Sequence, residues 1–132
     1  MATMTKMNLL LDTHAFLWAI SNNPKLSKAT RAAIVDGSNI VYVSAVTAWE
    51  VAIKRTRGKL QMPPIDYFEQ LRLHRFTPLS ITTDHALAVE TLPAHHADPF
   101  DRMLIAQARE EGLTIVTHDR RMNLYDVKLI PT

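Results

Sequence analysis

A chain of 132 residues that is 47 % hydrophobic is the size of one compact domain and can bury a real core. It contains no cysteine, which excludes disulfides and thiolate metal sites and leaves oxygen and imidazole as the available metal ligands. The formal charge of +2, from 15 Lys+Arg against 13 Asp+Glu, says little about partners by itself.

The opening "MATMTKMNLLLD" carries only a short apolar run before Asp12 and His14. That run is too short for a signal peptide or a membrane span, so a soluble cytoplasmic protein is expected, with residues 1–6 disordered. Apolar runs then alternate with helical periodicity. "NLLLD" (8–12) predicts a buried strand, followed by helices over 13–21 and 27–36. "NIVYVS" (39–44) predicts a second strand and 45–57 a helix. "QMPPID" (61–66) reads as a turn, next to a helix over 64–74. "FTPLS" (76–80) is a weaker, proline-interrupted strand, and helices follow over 83–91 and 99–111. "LTIVTHD" (113–119) and "VKLIPT" (127–132) repeat the strand signal. Strand alternating with helix implies one α/β domain whose mainly parallel sheet is covered on both faces. With only three glycines and neither GxGxxG nor GxxxxGK[ST], a phosphate-cradling nucleotide loop is unsupported.

Open parallel sheets do their work beyond the carboxyl ends of the strands. Asp12 closes the first strand and Asp119 follows "TIVT", so both are expected at the same rim. Asp12 also suits a helix cap, and the two roles are compatible. In "SAVTAWEVAIKR", Val46, Trp49 and Ile53 form an apolar stripe, and Glu50 falls on its flank. A carboxylate placed there needs a partner. In "HHADPFDRMLIAQA", Asp98 before Pro99 reads as an N-cap with proline at the first helical position. Asp101 is different: Leu104, Ile105 and Ala108 follow at +3, +4 and +7, which turns it toward the core. Asp101 is therefore favoured as the site ligand, with Asp98 as a cap and an additional acid. Asp119 has the weakest individual case, since turns after strands often contain aspartate.

Several carboxylates at one rim repel each other unless something neutralises them. Oxygen ligands select a hard divalent cation, Mg²⁺ or Mn²⁺, and such ions activate water for attack on phosphorus, which is phosphodiester hydrolysis. Drawing these acids into one pocket leaves the rest of the surface basic, as a polyanion substrate requires. No HExxH spacing occurs, and the histidines read mostly as structural or surface groups, with His14 and His118 adjoining candidate acids. "KRTRGK" (54–59) fits equally a solvated helix end and a phosphate contact.

In order and spacing, "LLLDT", "SAVTAWEVAIK", "DPFDRMLIAQA" and "TIVTHD" resemble the acidic blocks of the PIN-domain family, specifically its VapC-like ribonuclease toxins of toxin–antitoxin pairs. The resemblance implies a three-layer α/β/α fold and Mg²⁺-dependent RNA cleavage. It makes Asp12, Glu50 and Asp101 the core metal-binding acids and Asp119 the fourth, with Asp98 an extra acid of the "DPFDR" variant. It adds Thr13 and Thr117 as hydroxyls bordering the pocket, beside Lys54, Arg55 and Arg57 as candidate substrate contacts. It also implies dimerisation and inhibition by a small cognate antitoxin. Two other readings remain: a PIN-like RNA- or protein-binding module without catalysis, and a phosphoacceptor receiver domain that would use Lys128.

Overall fold

The computed structural model describes residues 6–60 and 65–132. Of the residues 1–6 expected to be disordered, 1–5 lie outside the described residues, as does most of the expected turn at 61–66. Five parallel strands, β1 (Asn8–Leu11), β2 (Ile40–Ser44), β3 (Thr77–Leu79), β4 (Thr114–Val116) and β5 (Lys128–Ile130), form one sheet in the order β3-β2-β1-β4-β5. The helices are α1 (Thr13–Ile20), α2 (Lys28–Val35), α3 (Ala45–Thr56), α4 (Tyr67–Leu73), α5 (Thr83–Ala88) and α6 (Pro99–Glu111). Short 3₁₀ turns follow at Val89–Thr91 and Arg120–Leu124.

Alternation along β1 separates two cores. Leu9 and Leu11 pack with Phe16, Ile34, Val41, Val43 and Leu71 on the α1, α2 and α4 side. Leu10 joins Val46, Leu104, Ile105 and Ile115 on the other side. All three leucines are fully buried, which explains why the strand reads as an unbroken apolar run. The result is the expected three-layer α/β/α domain. Strand ends are shorter than the sequence suggested because side chains take over there. Asp12 leaves β1 to cap α1, although its backbone N–H still reaches the Val116 carbonyl at 3.1 Å. Pro78 is tolerated because β3 is an edge strand.

The loop before α6 is held by one side chain. Arg102 donates to the carbonyls of Pro93 (2.8 Å), Val89 (3.2 Å) and Leu92 (3.3 Å) and to the Tyr125 hydroxyl (3.2 Å). That hydroxyl in turn accepts from the His96 N–H at 2.9 Å and donates to Pro93 at 2.9 Å. Arg102→Ala should therefore destabilise the protein by roughly 2–4 kcal/mol, since it strands several acceptors of charged hydrogen bonds. Urea unfolding monitored by circular dichroism measures this. Arg102→Lys should recover little, because an ammonium lacks the planar fork.

Candidate active site

The chain changes direction in the sheet at β1, with β2 and β3 built to one side and β4 and β5 to the other. At the carboxyl ends around this switch point lies a cavity of about 160 Å³ lined by Asp12, Glu50, Asp98, Asp101 and Asp119, together with Thr13, His14, Lys54, His118 and Arg121. All five candidate acids thus reach one pocket. Lys128 opens β5 level with Thr114, at the opposite end of the strands, so it does not face them as a receiver domain would require.

Asp12 is 4 % exposed and caps α1, its Oδ1 accepting the Ala15 N–H at 2.8 Å. Burial pushes its carboxyl above the ordinary value, and a hydrogen bond from the Thr117 hydroxyl, the cap and the neighbouring His14 and His118 only partly offset this. Thr117 also accepts the Asp119 N–H at 3.0 Å, so it buttresses two acids without lining the cavity itself.

Glu50 lies nearer the centre of the buried face of α3 than its sequence pattern indicated. The buried positions of that helix are Val46, Thr47, Glu50 and Val51, whereas Trp49 is 55 % exposed and meets the edge of Phe100 at 5.0 Å between centroids. Expecting Trp49 in the buried stripe was wrong, because the true face is polar where it meets α1. Thr13 donates to Glu50 Oε1 at 2.6 Å and approaches Thr47 at 3.4 Å, and Lys54 pairs with Glu50 Oε2. Lys54 is thus a wall of the pocket. Arg55 is half-buried and Arg57 is an exposed residue capping the end of α3; neither lines the cavity.

Asp98 is an N-cap as expected, its Oδ1 accepting from Phe100 N–H at 2.8 Å, with Pro99 opening α6. Asp101, one turn in, has its carboxyl pushed up to about 7, first by burial and then by the nearby charges of Asp98, Asp12 and Glu50, which His96 only partly offsets. Asp119 goes the other way. Arg121 donates to it from Nε at 3.1 Å and from the guanidinium terminus at 3.0 Å, holding its carboxyl well below the usual range despite some burial.

His96 is the residue that sequence reasoning passed over. Its buried ring accepts the Asp98 N–H at Nδ1 (3.2 Å), so the ring proton sits on Nε2. From there it hydrogen-bonds Asp119 Oδ2 at 2.9 Å and stands 2.9 Å from Asp101 Oδ2. His96, Asp101 and Asp119 are the one group of potential metal-ligating residues, among those described, whose ligand atoms all lie within 4.8 Å of one another. Asp12 and Glu50 line the same cavity outside that tight group. The signal for His96 was its place two residues before a capping aspartate. His85, by contrast, is structural, accepting Thr82 N–H at 3.0 Å and contacting Glu111 at 2.8 Å.

The PIN domain family model matches residues 9–128. The chain belongs to the PIN domain family. This PIN domain is 33 % identical over 117 residues to Ribonuclease VapC22 of Mycobacterium tuberculosis (strain ATCC 25618 / H37Rv), covering 86 % of this chain and 88 % of that one. Its fold is similar to chains in two solved complexes. The crystal structure of VapBC2 from Rickettsia felis bound to a DNA fragment from their promoter gives a TM-score of 0.69 at 15 % identity, over 95 % of this chain and 98 % of that one. DNA-bound VapBC from Salmonella typhimurium gives 0.66 at 18 % identity, with the same coverage.

Proposed function

We propose that this PIN domain is a Mg²⁺-dependent endoribonuclease and the toxin half of a toxin–antitoxin pair. The observation that carries the reading is the convergence of five carboxylates on one small cavity at the switch point of the sheet, with Asp101 pushed up to about 7 by burial and by the neighbouring carboxylates. A relative named as a ribonuclease, alike over most of both chains, supports the same chemistry. The donor set fits the ion: carboxylate oxygens without thiolate suit Mg²⁺ or Mn²⁺, and His96 spends its Nε2 proton on two of the acids instead of offering a lone pair.

Asp12, Glu50 and Asp101 would hold the ion, with Asp98 and Asp119 as flanking acids. Bound there, the ion would supply an activated water for attack on phosphorus and a counter-charge for the leaving oxygen. The chain's own groups set the geometry. Thr13 fixes one Glu50 oxygen, Thr117 supports Asp12, and His96 aligns Asp101 with Asp119. Lys54 and Arg121, cations in the wall of the acid pocket, would receive the free oxygens of the phosphodiester. Arg57 and Lys59, exposed beyond α3, would extend contact along the backbone, with Arg55 beside them.

Among the described residues no helix is long and apolar enough to cross a membrane. A cytoplasmic location, a homodimer and a small inhibitory antitoxin complete the proposal. The experiment is incubation of purified protein with cellular RNA. Fragments should form with Mg²⁺, cease with EDTA and return on adding Mg²⁺ or Mn²⁺. Cleavage that persists in EDTA would overturn the metal role, and RNA that is bound but never cut would leave a non-catalytic binding module.

A further inference from the structure

At the mouth of the acid pocket a cluster of aromatic rings gathers that the metal chemistry does not use. His14, in the first turn of α1, meets His118 edge-on at 5.1 Å between centroids and lies 5.7 Å from Trp18, one turn along the same helix. Trp18 and His118 are 5.2 Å apart with their planes tilted by 39°. Both histidines are exposed, Trp18 is half-buried, and both histidines line the acid cavity. Beside it runs a second cleft of about 260 Å³ that shares Thr13, His14 and Lys54 with the first and continues over Trp18 and Val51 to Lys59. Trp18 packs partly against the core, yet it stays half-buried and lines this cleft.

Contiguity decides the occupant. A nucleic-acid strand with one phosphate at the acids must place its adjacent base within reach of the pocket mouth. An unpaired base seeks a π-face and an apolar wall, with cations flanking it for the phosphates. Lys59 lies at the cleft, and Lys25 holds its Nζ 5.7 Å from the Trp18 centroid. We propose that His14, Trp18 and His118 form a stacking platform for the nucleobase next to the scissile phosphate of single-stranded RNA. This deepens the ribonuclease reading and rests on it: the substrate is RNA with an unpaired base turned onto the rim, not a continuous duplex.

The test uses Asp12→Asn, to spare the substrate, combined with Trp49→Phe, which leaves Trp18 as the remaining indole of the two in the chain. The probe is an unstructured RNA of about a dozen nucleotides, and a series in which each position in turn is abasic. RNA binding should quench Trp18 fluorescence, and one abasic position should weaken binding by roughly ten-fold or more, the scale of base–aromatic stacking. Adding His14→Ala and Trp18→Leu should erase that discrimination, so that abasic and intact RNA bind alike. Trp18→Phe should keep most of it, whereas a purely structural role would weaken every probe equally. If fluorescence does not change and no abasic position matters, while the wild-type protein still cuts RNA with Mg²⁺, the platform is refuted and the rings face a protein partner. If the wild-type protein does not cut RNA at all, the ribonuclease reading falls and takes the platform with it.

Discussion

Asp12→Asn and Asp101→Asn are each expected to lower Mg²⁺-dependent RNA cleavage by more than about 100-fold while the protein stays folded. Losing a group that merely supports a metal ligand costs about 10–100-fold, and losing a ligand should cost more. Both carboxyls sit above their ordinary values because burial disfavours the charged form, so a neutral amide removes a cost instead of a support. Asp98→Asn provides the contrast. Its Oδ1 caps α6, a task an asparagine oxygen also performs, and the backbone N–H that fixes His96 is untouched. It should lose less than about ten-fold, the lower end of that range. Initial cleavage rates, with Mn²⁺ titrations of the same proteins, check both halves. A reversed order of severity for Asp98 and Asp101 would make Asp98 the principal ligand.

In EDTA, the stability of the wild-type protein should fall as the pH rises from about 4 to about 7 by more than it does in Asp101→Asn. The folded carboxyl of Asp101 lies at about 7 against 3.8 when unfolded, so between these values the folded state keeps a proton that the unfolded state has lost. Its contribution is complete below the unfolded value and gone once the pH passes the folded one, and it amounts to at most on the order of 4 kcal/mol. Asp119 does not confuse the reading, because its lowered carboxyl costs stability only on acidification below the normal carboxylate range. The measurement is urea unfolding across this pH range for both proteins, taken as a difference so that shared titrations cancel. Saturating Mg²⁺ should replace the proton and flatten the wild-type slope. Equal slopes for the two proteins in EDTA would mean that Asp101 is not strained in the free site.

The alternation of apolar runs with helical periods was enough to read the sheet, its parallel sense and its two coverings, since every central strand is buried on both faces. The rim acids were legible for a related reason: Asp12 and Asp119 follow strands, and Asp101 precedes an unmistakable core stripe. The face of α3 was not, because Thr47 and Lys54 look solvent-facing until α1 and Glu50 supply their partners. His96 escaped because its neighbours at Asp101 and Asp119 come from separate elements, which its one local sign, a place two residues before a capping aspartate, does not name. Nor does the sequence show that Arg102 is committed to loop carbonyls, which come from Pro93, Val89 and Leu92.

The bonds that shape the pocket join residues far apart along the chain: Thr13 to Glu50 across 37 positions, His96 to Asp119 across 23, and Tyr125 to Pro93 across 32. Two of them fall within residues 93–125 and the third within 13–50, so the pocket joins two separately closed stretches of chain. Closing such distant pairs carries a loop-entropy cost that local helices do not meet. A nascent chain lacking the stretch from Thr117 to Tyr125 has neither the brace on Asp12 nor the partner of His96. The acid pocket is therefore complete only once the segment from Thr117 to Tyr125 has docked against the elements that carry Asp12 and His96.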